Sequence, residues 1–365
     1  MNLYVMDTNF NLLNIIDQYE SLIWTDRYYE AGDFEIYTSI QNGILDIIKL
    51  DYFIYNDTSE HLMIVEKIQI TSDIEQGDKC IISGKSAESI LARRIVWGQK
   101  TLSGNLQSAI ETLLNEAIIS PTDEKRKIDN FIFKTSDDAR IASLEVNAQY
   151  TGDNLYNVIA DMCIEQNIGF KIILGNEKKF EFSLYCGNDR SYKQTSLPYV
   201  IFSTNFDNIL NGEYQEGKEN LKTVTLVGGE GEGAERKYQT TGDETITGLQ
   251  RRELFTDARD ISSSVYEGGQ SKTLTPEEYN ALLVQRGKEN LADYTDKPSF
   301  EGETETYTMF KYGTDFFMGD IVQIQDIYGH ESRARVSELI ISDDASNSLV
   351  YPTFTTVDEE DTQGD

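Results

Sequence analysis

The chain has 365 residues, enough for two to four domains with a substantial core. Its 63 acidic and 32 basic side chains leave a formal net charge of −31, which argues against direct nucleic-acid binding and against adhesion to anionic lipid. No apolar run reaches membrane-spanning length, and the opening MNLYVMDTNFN lacks a basic stretch followed by an apolar one, so neither a membrane anchor nor a secretory signal is expected.

Residues 1–100 read as strands. Phe34, Ile36, Thr38 and Ile40 alternate with Glu35, Tyr37 and Ser39, the period of a half-buried strand. Similar runs cover 63–70 and 79–83, with turn-like breaks at 56–58 and 76–78. Asp7, Asn9 and Asn11 resemble the start of a calcium loop, but that loop needs glycine and glutamate where this chain has Leu12 and Gln18. A turn between the first two strands is expected instead.

The character changes near residue 101. Leu106, Ile110, Leu113, Leu114 and Ala117 fall at helical spacing, with Ser103 or Asn105 as candidate caps. A second helix is expected from Asp153, with a stripe of Leu155, Val158, Ile159 and Met162 and with Gly169 just past its end. Residues 170–174 and 180–185 then form a hairpin around Gly175 and Asn176. Strands return over 199–230, and 234–272 reads as polar and loop-rich. A third helix opens at Thr275, with Pro276 in the first turn and Glu278 completing a capping box. Strands resume at 303–311, 320–325 and 333–342, and the chain closes on the acidic DEEDTQGD.

Catalytic signals are weak. The Gly228–Gly233 run alternates glycine with Glu230 and Glu232, and glutamate repels the phosphate that a nucleotide loop would hold. His61 and His330 are the two histidines, with neither at metal-ligand spacing and no nucleophile elbow in sight. Carboxylate pairs such as Asp257 with Asp260 and Asp343 with Asp344 are too common in so acidic a chain to single out a glycosidase. Cys80, Cys163 and Cys186 show no paired spacing and suit a chain kept reduced in a cytoplasm. Trp24 and Trp97 are candidates for sugar stacking, with core packing the expected fate of both. No metal, cofactor or catalytic residue is assigned. The dense alternation of Arg251, Arg252, Glu253, Asp257, Arg259 and Asp260 reads equally as a subunit interface or as a surface ion-pair network within the chain.

Four stretches in order carry a resemblance: SLIWTDRYYEAGDFEIY at 21–37, the segment around LVGGEGEG at 220–233, GLQRRELFTDARDI at 248–261, and 312–354, from YGTDFFMGDIVQIQDIYG to YPTF. Together they resemble the tail-associated hub proteins at the tip (baseplate) of siphophage tails. The resemblance implies an α+β, mainly β chain with two tube-type β-barrel-like domains and two smaller inserted domains. The first barrel would be 1–100, with an α+β insertion at 101–198. The second barrel would be 199–233 with 300–355, interrupted by an inserted loop and helix domain at 234–299. An acidic tail at 356–365 would follow. It implies a non-enzymatic homotrimer, made in a bacterial cytoplasm and built into the virion at the distal tail tip. Its partners would be the distal tail protein ring, the tape-measure protein C-terminus and tail fibre or receptor-binding proteins. A ring that passes DNA without binding it is expected to have an acidic lumen. A tail-tip peptidoglycan hydrolase with its active site in 101–298, or a receptor- or glycan-binding protein, are the alternatives.

Overall fold

The computed structural model describes residues 1–357 except 41–42, 74–76, 207, 209–210, 216, 268–269, 295–298, 304–308 and 326–330. His330, the acidic end from 358, most of the strand expected at 303–311 and part of the turn at 76–78 lie outside the described residues. The chain is mainly β and divides into two compact units, each discontinuous in sequence. One unit comprises residues 1–89, 169–215 and 297–365, and the other 90–168 and 216–296.

In the first unit, thirteen strands among the described residues share one sheet. Its path runs Asn211–Gln215, Ser299–Glu303, Ser348–Thr356, Glu331–Asp344, Ser21–Arg27, Asp33–Ser39, Gly77–Ser86, Met63–Asp73, Phe53–Tyr55, Leu3–Met6 and Leu12–Ile16. The antiparallel pairing of Glu331–Asp344 with Ser21–Arg27 joins the first and last of the four resemblance stretches. Arg27 fixes that seam, donating to Glu338 at 2.8 Å and to Asp33 at 2.5 Å. Ile321–Gln325 pairs with Glu331–Asp344 and, in parallel, with Ile201–Ser203. The period-two reading of residues 34–38 holds, since Phe34, Ile36 and Thr38 are all buried. Phe34 and Ile36 join a core that includes Trp24, Tyr28, Phe202 and Phe354. The Asp7 turn also forms, with its carboxylate accepting from the Asn9 and Asn11 amides at 2.8 and 2.9 Å. The hairpin expected around Gly175 pairs Gly169–Leu174 with Phe180–Tyr185.

This unit buries an unusual set of ionisable groups. His61 Nδ1 lies 3.1 Å from Glu88 Oε1, which also accepts the Ile172 amide at 2.7 Å. Asp26 accepts from Trp24 Nε1 and Ser59 Oγ. Burial favours neutral His61, but the charges of Glu88 and Asp26 outweigh it and raise its pKa to about 9.

In the second unit, the helices Leu106–Leu114, Leu155–Glu165 and Pro276–Ala292 pack with short sheets. Leu106–Leu114 is capped by Asn105, whose side chain accepts from Ser108 N at 3.2 Å. Ser103 lies inside the preceding strand, Gln99–Asn105. Leu155–Glu165 starts at an Asn154 cap rather than at Asp153. It ends at Glu165 with Gln166 as its C-cap, and the left-handed residue past that end is Asn167 rather than Gly169. Asn167 takes the left-handed conformation (φ 54°), and Ile168 N bonds back to Cys163 O at 2.9 Å. The capping box of Pro276–Ala292 is present, with Thr275 and Glu278 bonded reciprocally.

The loop-rich expectation for 234–272 is corrected. Tyr238–Gly242 and Glu253–Asp257 flank Val224–Gly228 in a three-stranded sheet, and Ser264–Glu267 pairs with Gln270–Thr273. The strands therefore do not stop near Gly233. Glu253–Asp257 buries one side chain and Tyr238–Gly242 one, so an apolar period scarcely shows in either.

Candidate functional site

The central strand Val224–Gly228 decides this region. Alternation turns Thr225 and Val227 inward, towards Gly287, and leaves Leu226 on the outer face. Phe255 is the parallel register partner of Leu226, and Tyr238 is the antiparallel partner of Gly228. The outer face thereby exposes three large side chains: Leu226 (41 %), Tyr238 (46 %) and Phe255 (52 %). At one edge Leu249 is 97 % exposed.

Arg236 braces this face. Its Nη2 donates to Gly228 O at 2.8 Å and to Asp257 Oδ1 at 2.7 Å, and its Nε donates to Gly229 O at 3.1 Å. The guanidinium lies 5.4 Å from the Phe255 ring centroid and 5.7 Å from that of Tyr238. Exposed aromatics and arginine are the side chains most enriched where proteins bind one another.

The six residues expected as an interface gather around the same sheet, and each is engaged within its own chain. Arg251 pairs with Glu253 at 2.8 Å. The Arg252 amide donates to Thr223 Oγ1 and its guanidinium to the Lys218 carbonyl. Asp257 takes Arg259 at 2.6 Å as well as Arg236, and Asp260 takes Arg286 at 3.0 Å. The exposed pairs contribute about 0–1 kcal/mol each. Sequence reasoning missed Leu226, Tyr238, Phe255 and Arg236. The signal was the apolar outward residue in TLV and LFT, weakened by the polar residues around it.

The glycine and glutamate turn proves to be a staple. A Cβ on Gly229 would sit 2.4 Å from the Tyr279 hydroxyl, which accepts the Glu230 amide at 2.8 Å. Glu230 Oε2 accepts from Ser263 N at 3.1 Å. Beneath the sheet, Glu289 accepts from Tyr150 at 2.6 Å and from Gln285 at 3.2 Å. Burial raises the Glu289 carboxyl to about 7. Burial, then the Asp293 and Glu289 carboxylates, do the same to Asp161. The Glu289 side chain is 4 % exposed, which suits packing rather than contact with a substrate.

The model of the Siphovirus ReqiPepy6 Gp37-like protein family matches residues 2–354. The chain belongs to this family. Among curated proteins none matches the sequence. Solved tail proteins share the fold. The 43 kDa tail protein of prophage MuSo2 from Shewanella oneidensis is 11 % identical, with a TM-score of 0.61 over 97 % of this chain and 98 % of that one. The tail protein of Neisseria meningitidis MC58 is 11 % identical, with a TM-score of 0.57 over 98 % and 96 %. The prophage tail protein gp18 of Listeria monocytogenes EGD-e is 12 % identical, with a TM-score of 0.55 over 97 % and 94 %.

Proposed function

We propose that the chain is the hub of a siphophage tail tip: a non-enzymatic homotrimer that continues or closes the tail tube and anchors tip proteins. The outer face of Leu226, Tyr238 and Phe255 is the observation that carries this reading, and in it that face is the contact between copies. A tail protein exposing such a face next to an ion-pair rim has the anatomy of an oligomer interface, with an apolar centre and a polar margin. Arg251, Arg252, Glu253, Asp257, Arg259 and Asp260 are that margin. The distal tail ring, the tape-measure C-terminus and fibre or receptor-binding proteins are the neighbours this role requires. The net charge of −31 suits a lumen that passes DNA without holding it.

Sedimentation velocity of the purified chain tests the reading. The wild type is expected as a trimer and Phe255→Glu as a monomer with unchanged circular dichroism. A wild type that stays monomeric at tens of micromolar would contradict the trimer. A trimeric Phe255→Glu would move the interface elsewhere.

A further inference from the structure

Trp97 does not take the core position expected for it. It is 58 % exposed, whereas Trp24 is fully buried. It stands in a bulge of one antiparallel ladder, between the Ile95–Asn154 bridge and the Gln99–Thr151 pair, where the next residue, Gly98, has φ +78°. One part of its ring is covered by Arg126, whose guanidinium lies 4.5 Å from the centroid and is itself held by Ile95 O at 2.7 Å. The indole borders a cavity of about 390 Å³, within the ~300–1,000 Å³ typical of small-molecule sites. Lys100, Glu116, Ser120 and Asp123 complete its polar wall. Glu116 and Lys100 are 2.5 Å apart.

The backbone is irregular at this point. The helix Leu106–Leu114 widens into a π turn over Asn115–Ile119, closed by Ser120 N donating to Asn115 O at 2.8 Å. Such turns concentrate at functional sites. Here the turn contributes Glu116 and Ala117 to the cavity, and Ser120 follows directly.

We propose that this cavity binds a neutral oligosaccharide, with Trp97 as the stacking platform and Lys100, Glu116 and Asp123 as partners for its hydroxyls. A pyranose ring has a face of C–H bonds that packs on the electron-rich indole face. Its hydroxyls both donate and accept, so they match carboxylates and an ammonium set side by side. Other ligand classes fit less well. A quaternary cation would share its aromatic platform with the positive charge of Arg126. A polyanion would meet Glu116 and Asp123 on a chain that is already strongly negative.

The test uses the full chain on an array of neutral tetrasaccharides built from glucose, galactose, rhamnose and N-acetylglucosamine, followed by calorimetry on the strongest member. Saturable binding of at least one sugar is expected. Trp97→Ala should weaken it about tenfold or more. Trp97→Phe should retain part of the affinity, and Glu116→Gln should weaken binding with circular dichroism unchanged. The proposal is overturned if no sugar binds saturably, or if Trp97→Ala binds as the wild type does. It is equally overturned if choline or inorganic phosphate binds and the sugars do not.

Discussion

Gly287, buried on the long helix, should not tolerate an added methyl. Glycine inside a helix costs about 1 kcal/mol relative to alanine, so Gly287→Ala in an isolated helix would be stabilising. Here the helix lies close on the inner face of the three-stranded sheet. A Cβ at 287 would sit 2.4 Å from Thr241 Cγ2, 2.7 Å from Val227 Cγ2 and 3.1 Å from Thr225 Cγ2. Val227 and Thr225 are fully buried and Thr241 nearly so, which leaves these methyls little room to retreat. Overpacking of this kind costs about 1–3 kcal/mol, and two of the three approaches are closer than real Cβ atoms show, which favours the upper half of that range. After the propensity gain of about 1 kcal/mol, the net loss should be about 1–2 kcal/mol. Lys288→Gly, at the exposed neighbouring position, should cost about 1 kcal/mol and calibrate the propensity effect. Gly287→Ala combined with Thr241→Ser, which removes the nearest methyl, should recover part of the loss. Hydrogen exchange of the amides in Pro276–Ala292 reads these changes within the helix, without requiring the two units to unfold together. A Gly287→Ala helix that exchanges more slowly than the wild type would refute the argument.

Two further predictions concern pH. Because His61 has a folded pKa of about 9 against an ordinary value of 6.5, its contribution is complete below about pH 6.5. It is lost as pH rises towards 9. Urea unfolding at pH 6 and pH 9 should show the decline, and His61→Gln should flatten it; an equal slope in the variant would refute the assignment. Glu289 has the opposite charge type but also a raised pKa, so the unfolded chain ionises there before the folded one does. Stability from this group should therefore fall as pH rises from about 4.5 to about 7, with Asp161 adding in the same window. Glu289→Gln, which keeps an acceptor for Tyr150, should be more stable than the wild type at pH 8 and similar at pH 4.5. Equal stability of the two proteins at pH 8 would count against a buried, late-ionising carboxyl.

What could be read beforehand depended on how locally each feature was encoded. The box at Thr275 and Glu278 and the hairpin around Gly175 are settled by residues within a few positions of one another, and both are in the structure. Phe34, Ile36 and Thr38 announced a half-buried strand because one face meets a large core. Tyr238–Gly242 and Glu253–Asp257 did not, because they cover a single helix and bury one residue each, Thr241 and Thr256. A hydroxyl-bearing side chain on the inner face looks like loop composition. The six charged residues were visible as a dense group, whereas the apolar face between them depends on the parallel pairing of Leu226 with Phe255, about thirty positions apart in the sequence. Trp97 was misplaced for a related reason: nothing nearby in the sequence shows that the strand bulges at Gly98 and leaves the indole outside.

The central claim is a location, and immunogold electron microscopy of intact particles carrying this chain tests it directly. The account predicts label confined to the distal tip of the tail. Label along the tail shaft, or a chain recovered from the lysate but missing from the particles, would contradict it.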